Sequence, residues 1–300
     1  MITIFAIPKA FKGHFATIQC NAIISWTLLQ PKPEIILFGN DEGTAEICQK
    51  LGLRHIPKVA RNEFGTPLVN DLFEQAQQLA TYKLLCYVNS DILFLRSFTQ
   101  AIGKVSQLRQ ALLMVGQRCD IEITELWSFS ETDWGKRLRD LAKDSGELKP
   151  PNWIDYFVFS KGLFKDIPPF AIGRPAYDNW LVWYASSQQA TVVDATPRVL
   201  ALHQNHDYSH AQGEESVWKG EEAQRNKLLT GDWTHHCTIS HASHVLTDQG
   251  IRRAWASKYI AARLDMWKRK LISWTRPLRH FIGLRQETLI ALRHFLKLAG

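Results

Sequence analysis

Residues 84–95 read Leu84-Leu85-Cys86-Tyr87-Val88-Asn89-Ser90-Asp91-Ile92-Leu93-Phe94-Leu95, an apolar run that stops at a small polar cluster and then resumes. The first half lacks the apolar–polar alternation of a strand with one wet face. Its Leu, Cys, Tyr and Val suit a central parallel strand covered on both sides. Asn89-Ser90-Asp91 then falls at the carboxyl end of that strand, where open α/β sheets bind their ligands. A carboxylate beside a carboxamide and a hydroxyl offers hard oxygen donors to Mg2+ or Mn2+. The same residue types also make ordinary turns, so the cluster alone leaves both readings open.

Upstream, strands and helices alternate. A strand over 2–7 ends at Pro8 and a polar loop from Lys9 to His14 follows it. A helix over 15–29, a strand over 34–38 and a helix over 44–51 with Gly52 beyond its end come next. A strand over 54–59 and a helix over 68–81, opened by Pro67, complete the approach to residue 84. That βαβαβαβ order implies a parallel sheet. Its four strand-end loops, 9–14, 40–43, 61–65 and 89–91, would share one rim and form a composite ligand site that includes Lys9 and Asp41. Farther on, helices are expected over 97–109, 131–144 and from Asp178 to 185. Short strands are expected over 111–116, 156–160, 191–193 and 198–202.

The chain of 300 residues is 45% hydrophobic and 22% charged, the balance of a globular enzyme with ample chain for a core. Ten of its 11 tryptophans lie from Trp127 onward. The net charge of +7 conceals an asymmetry: residues 251–300 hold 12 Lys/Arg against Asp265 and Glu287, so residues 1–250 carry −3. An appended surface-binding segment fits that split better than a nucleic-acid-binding fold. Five scattered cysteines without a C-x-x-C pair argue against a disulfide framework or zinc knuckle and for a reducing compartment. No signal-like leader and no apolar run of about 18 residues is seen, so the expected location is cytoplasmic, or peripheral at the inner membrane face.

Two further groups carry chemistry. Asp178 opens a helix inside Gly-Arg-Pro-Ala-Tyr-Asp-Asn-Trp, where it can be a cap or a functional carboxylate. Arg174, Tyr177, Asn179 and Trp180 around it, with Asp155 before the strand at 156, suit a hydroxyl-rich ligand. His203, His206 and His210 follow a strand and can complete a metal site with a distant aspartate.

The order of these features resembles a nucleotide-diphospho-sugar glycosyltransferase of the GT-A fold over residues 1–230. Tyr87-Val88-Asn89-Ser90-Asp91 resembles the D-x-D strand of that family, with Asn89 in place of the first aspartate. The resemblance implies an α/β domain over 1–248 with a mostly parallel central sheet flanked by helices. It implies that Pro8, Lys9, Asn62, Gly65, Thr66 and Asn70 approach the nucleotide, and that Asn89, Ser90 and Asp91 meet the diphosphate and a divalent cation, Mn2+ or Mg2+. It further implies His203 or His206 as a late metal ligand and, if the reaction inverts, Asp178 as the base. The expected activity is transfer of a sugar from a nucleotide sugar to a hydroxyl of a glycan or lipid-linked acceptor. A nucleotidyltransferase that makes nucleotide sugars is the alternative, although residues 6–11 lack its Gly-rich basic loop; a non-catalytic sugar- or nucleotide-binding protein is another.

Residues 249–300 read as a basic amphipathic helical tail, with Leu278, Ile282, Leu289, Leu292 and Leu296 at helical spacing. It suits an anionic membrane surface or packing against the body or a partner. No nucleic-acid-binding motif accompanies it.

Overall fold

Strands and helices alternate through the first third of the chain: β1 (Thr3–Ala6), α1 (Gly13–Thr27), β2 (Glu34–Phe38), α2 (Thr44–Leu51), β3 (Arg54–Ile56), α3 (Val69–Leu79) and β4 (Leu84–Val88). The computed structural model describes residues 1–206 and 214–282. The chain continues through β5 (Ile92–Phe94), α4 (Arg96–Val105), β6 (Leu112–Val115), β7 (Arg118–Ile121), α5 (Trp134–Ser145), β8 (Glu147–Leu148) and β9 (Tyr156–Ser160). Then come α6 (Tyr177–Ser187), β10 (Thr191–Asp194), β11 (Ala201–Gln204), α7 (Glu214–Lys219), α8 (Glu221–Leu229), β12 (His244–Thr247), β13 (Gly250–Arg253) and α9 (Ser257–Ile282). His210, Leu289, Leu292 and Leu296 lie outside the described residues.

The fold is α/β. Nine strands form the main sheet in the order β13-β12-β10-β6-β9-β4-β1-β2-β3, parallel except where β9 and β13 meet their neighbours. β4 sits near its middle, parallel to β1 and antiparallel to β9. All five of its residues are buried, and the reason is visible on each face. Leu84, Cys86 and Val88 join the core with Ile4, Ala22, Ile23 and Trp26 from β1 and α1. Tyr87 points the other way, into an aromatic layer with Phe5, Phe73 and Phe157. α3 supplies Phe73 because Val69, Leu72, Phe73 and Ala76 share one helical face. Removing such a ring costs about 3–5 kcal/mol. α2 ends at Gly52, whose left-handed backbone returns its N–H to the carbonyls of Cys48 and Gln49.

The second apolar run, β5, leaves this sheet. It pairs antiparallel with β11 in a four-stranded sheet of order β5-β11-β7-β8. The buried Trp26 indole N–H donates to the Ile92 carbonyl at 2.8 Å and ties α1 to that departure. β7 was not among the expected strands, although its short Arg-Cys-Asp-Ile text alternates charged with apolar side chains. The main sheet also runs past the expected boundary at 248: Arg252 and Arg253, basic as the tail is basic, belong to edge strand β13. The chain divides at Trp255/Ala256 into two units. In the second unit, α9 carries Ile260, Leu264, Trp267, Leu271 and Trp274 exposed. Among the described residues no helix is long and apolar enough to cross a membrane.

Candidate active site

Strand pairing builds a three-residue cluster from positions more than a hundred apart in sequence. β11 runs against β5 with His203 opposite Ile92, which sets its ring beside Asp91. The Gln204 side chain donates to the Asp91 carbonyl at 3.0 Å and fixes that crossing. His203 Nε2 lies 3.7 Å, and His206 Nε2 3.2 Å, from Asp91 Oδ2. One ligand atom from each of Asp91, His203 and His206 fits within 4.8 Å of the others. Burial alone would raise the Asp91 carboxyl, yet the two imidazoles and Lys9 outweigh it and hold it well below the usual carboxylate range. Asp91 Oδ1 is buried with no hydrogen-bond partner among the described residues.

Behind the cluster stands a buried charged network. β7 lies parallel to β11 in the register His203↔Asp120, and Asp120 Oδ1 approaches His203 Nδ1 to 3.2 Å. Arg118 joins Asp120 at 2.8 Å to Asp155 at 2.8 Å. Asp155 also takes the Asn89 amide at 2.6 Å, while its backbone carbonyl accepts the Asn89 N–H. The β4–β9 pairing, continued by one residue, sets these two opposite each other. Asp155 thus takes the Asn89 amide N–H2, while the Asn89 side-chain oxygen accepts from the Tyr87 hydroxyl at 3.3 Å. Burial would raise the Asp120 carboxyl, but His203 and Arg118 overcome it and lower it.

Asp91, His203, His206, Arg118, Asp155 and Asn89 line a cleft of about 960 Å³ at the carboxyl ends of the parallel strands, with Asp120 behind it. All four strand-end loops contribute to it: Pro8 and Lys9, Asp41, Arg61 and Gly65, and Asn89, Ser90 and Asp91. Gln19 of α1 clamps the first loop, accepting from the Lys9 N–H and donating to its carbonyl. Arg61 reaches Asp41 at 2.9 Å and the Gly65 carbonyl at 2.8 Å, binding two loops together. Arg174 comes from the opposite wall and pairs with Glu222 of α8 at 2.6 Å. Burial would raise Glu222, but Thr66 and Asn62 hydrogen bonds and Arg174 bring it down.

Asp178, Tyr177 and Asn179 line the same cleft at the start of α6. Ala176 before them has φ +89°, a costly conformation for a residue with a side chain. Burial, aided by the negative charge of Asp155, pushes the Asp178 carboxyl up to about 7, against backbone N–H groups that favour the anion. Tyr177 and Tyr87 hydroxyls interact beside it. Trp153 and Trp218 form an aromatic wall, 6.1 Å between ring centroids, with Arg118 at 4.6 Å over Trp153.

Three residues expected at the site do not line the cleft. Trp180 is buried against Tyr184 and Phe170, because two positions along a helix from Asp178 faces the opposite side. Asn62 shapes its own loop, accepting from the Phe64 and Thr66 N–H groups and donating to Glu222 at 2.7 Å. Asn70 lies in the first turn of α3, away from the lining. Sequence reading missed Arg118, Asp120, Trp153 and Trp218. Only the charge–apolar alternation of residues 118–121 hinted at the first two.

No protein-family model and no curated protein matches the sequence. Solved structures do. Glucosyl-3-phosphoglycerate synthase from Mycobacterium tuberculosis, in complex with Mn2+, UDP and phosphoglyceric acid, is 14% identical with a TM-score of 0.46 over 76% of each chain. Mannosyltransferase PcManGT from Pyrobaculum calidifontis, in complex with GDP-Man and Mn2+, is 12% identical with a TM-score of 0.44, over 70% of this chain and 59% of that one. S. aureus TarS 1-349 is 12% identical with a TM-score of 0.40, over 68% and 58%.

Proposed function

We propose that the chain is a glycosyltransferase that moves a sugar from a nucleotide-diphospho-sugar to a hydroxyl of a glycan or lipid-linked acceptor. The observation that carries this reading is one cleft holding the Asp91–His203–His206 cluster together with Asp178, a carboxyl whose pKa sits near neutrality. Asp91, His203 and His206 would hold a divalent cation, and the unpartnered Asp91 Oδ1 supports that fit. One carboxylate and two imidazoles suit Mn2+ better than Mg2+, which prefers an all-oxygen shell. When bound, such a cation neutralises charge on the departing diphosphate. Lys9, pinned at its backbone by Gln19, adds a cation on the same side.

Asp178 supports an inverting route. A carboxylate with its pKa near the working pH is a competent general base for an acceptor hydroxyl. It takes the hydroxyl proton as the acceptor oxygen bonds to the anomeric carbon and the sugar–phosphate bond breaks toward the nucleoside diphosphate. Trp153 and Trp218 offer flat apolar faces for a sugar ring in the acceptor.

Incubation with UDP-, GDP- and dTDP-sugars and Mn2+ tests the reading. Slow release of nucleoside diphosphate, lost in Asp91→Ala while the far-UV circular dichroism is unchanged, is expected. Pyrophosphate release from a sugar phosphate and a nucleoside triphosphate would instead identify a nucleotidyltransferase, and turnover of neither substrate set a binding protein.

A further inference from the structure

The cleft accounts for nothing in α9. Ile260, Leu264, Trp267, Leu271 and Trp274 recur at alternating steps of four and three, so they form one stripe along the helix. All five are exposed, Trp267 at 77% and Trp274 at 72%. A stripe of this kind on an isolated helix face calls for an occupant.

Charge decides which occupant fits. At 100° per residue, Lys268 and Lys270 fall about 80° to either side of the stripe, and Arg263 about 60° to one side. Both shoulders are therefore basic. The acid of the described helix, Asp265, lies toward the far side, where it pairs with Arg269 at 2.6 Å. A second copy of this helix in a parallel coiled coil would set Arg263 of one chain against Lys268 of the other, like charge facing like, with no acid at either shoulder to offset it. The two indoles are also poor knobs for such packing, whereas indoles favour the boundary between hydrocarbon and headgroup.

We infer that α9 lies in the plane of an anionic lipid bilayer. The Ile260–Trp274 stripe enters the acyl boundary, and Arg263, Lys268 and Lys270 reach up from both shoulders to the phosphates. The helix lies on the membrane and does not span it, in keeping with its charge density. This inference stands apart from the chemistry of the cleft.

Co-sedimentation of the full chain with phosphatidylglycerol-rich vesicles, and with pure phosphatidylcholine vesicles, tests it. The protein is expected to pellet with the anionic vesicles and to be released by high salt. Lys268→Gln with Lys270→Gln is expected to lower the partition coefficient roughly 25-fold, about fivefold for each charge removed near the surface. Trp267→Ser with Trp274→Ser is expected to abolish pelleting. All five side chains are exposed, so the variants are expected to keep the parent's unfolding temperature. Equal pelleting with neutral vesicles, no pelleting with either, or a dimer dissolved by Trp267→Ser without vesicle binding would overturn the inference.

Discussion

Asp120 Oδ1 lies 3.2 Å from Nδ1 of His203, on the side of the ring away from Asp91. With a cation held at the proposed site, that carboxylate would favour a proton on Nδ1 and turn Nε2, the nitrogen facing Asp91, to the cation. Under the proposed function, Asp120 would be a positioning residue for the Asp91–His203–His206 cluster. Asp120→Asn keeps the volume but loses the charge, and it is expected to weaken Mn2+ binding roughly 10- to 100-fold. Electron paramagnetic resonance of free Mn2+ during titration measures this without any turnover. An unchanged affinity would show that Asp120 serves its ion pairs with Arg118 and Lys149 instead.

Asp178 makes a prediction in pH. With its carboxyl pushed up to about 7, transfer is expected to rise with pH to a plateau above an apparent pKa near that value. Asp178→Asn should lower transfer by roughly 10²- to 10⁴-fold, while thermal stabilisation by Mn2+ with nucleoside diphosphate persists. The same shift bears on stability. The folded pKa exceeds the unfolded one, so the contribution of Asp178 is full below the ordinary carboxylate range and is lost as pH rises through about 7. Asp178→Asn should flatten that decline, seen as a smaller fall in unfolding temperature between acid and mildly alkaline buffer.

The parallel half of the sheet was legible because its signals are local. β2 and α2 begin and end where apolar runs, Gly39 and Gly52 say they should, and the unalternating text of β4 announced burial on both faces. The second sheet was not legible. β11 meets β5 and β7 across about eighty to a hundred residues, and nothing in either segment names its partner. Asp91, His203 and His206 could be suspected from residue type; the alternation of residues 118–121 hints only that Asp120 lies on a strand, and its place beside His203 exists only in the register of β7 with β11. Asn62 and Trp180 show the converse, residue types suited to ligands that the fold spends on a loop and on the core.

Arg118 holds two carboxylates, Asp120 and Asp155, in a nearly buried setting. Arg118→Met removes their shared partner and leaves like charges facing each other, at an expected cost of about 3–5 kcal/mol. Burial works to raise Asp120, and His203 and Arg118 keep it low in the parent, so its stabilising share is present at neutral pH and lost as pH falls through the depressed value. Arg118→Met takes from Asp120 one of the cations that hold it low and lets it protonate instead. Its deficit against the parent in urea denaturation should be largest at neutral pH and shrink in acid, and a deficit independent of pH would point to lost packing alone.

Gly116, at the end of β6, has no room for a side chain. A Cβ there would lie 2.2 Å from the Tyr156 hydroxyl and 3.2 Å from the Thr196 backbone nitrogen. That hydroxyl is itself buried, with no hydrogen-bond partner among the described residues, and its ring sits edge-on to Phe94 and Phe98. Tyr156→Phe removes a buried polar atom without leaving an orphaned partner, so it is expected to be neutral or to stabilise slightly. Gly116→Ala alone should cost about 1–3 kcal/mol through overpacking. In the double variant the added methyl occupies the space the hydroxyl vacates, and most of that cost should be recovered. Denaturant midpoints for the four members of the cycle measure a coupling of about 1–2 kcal/mol; strict additivity would mean that the Thr196 backbone, not Tyr156, is what forbids a side chain at 116.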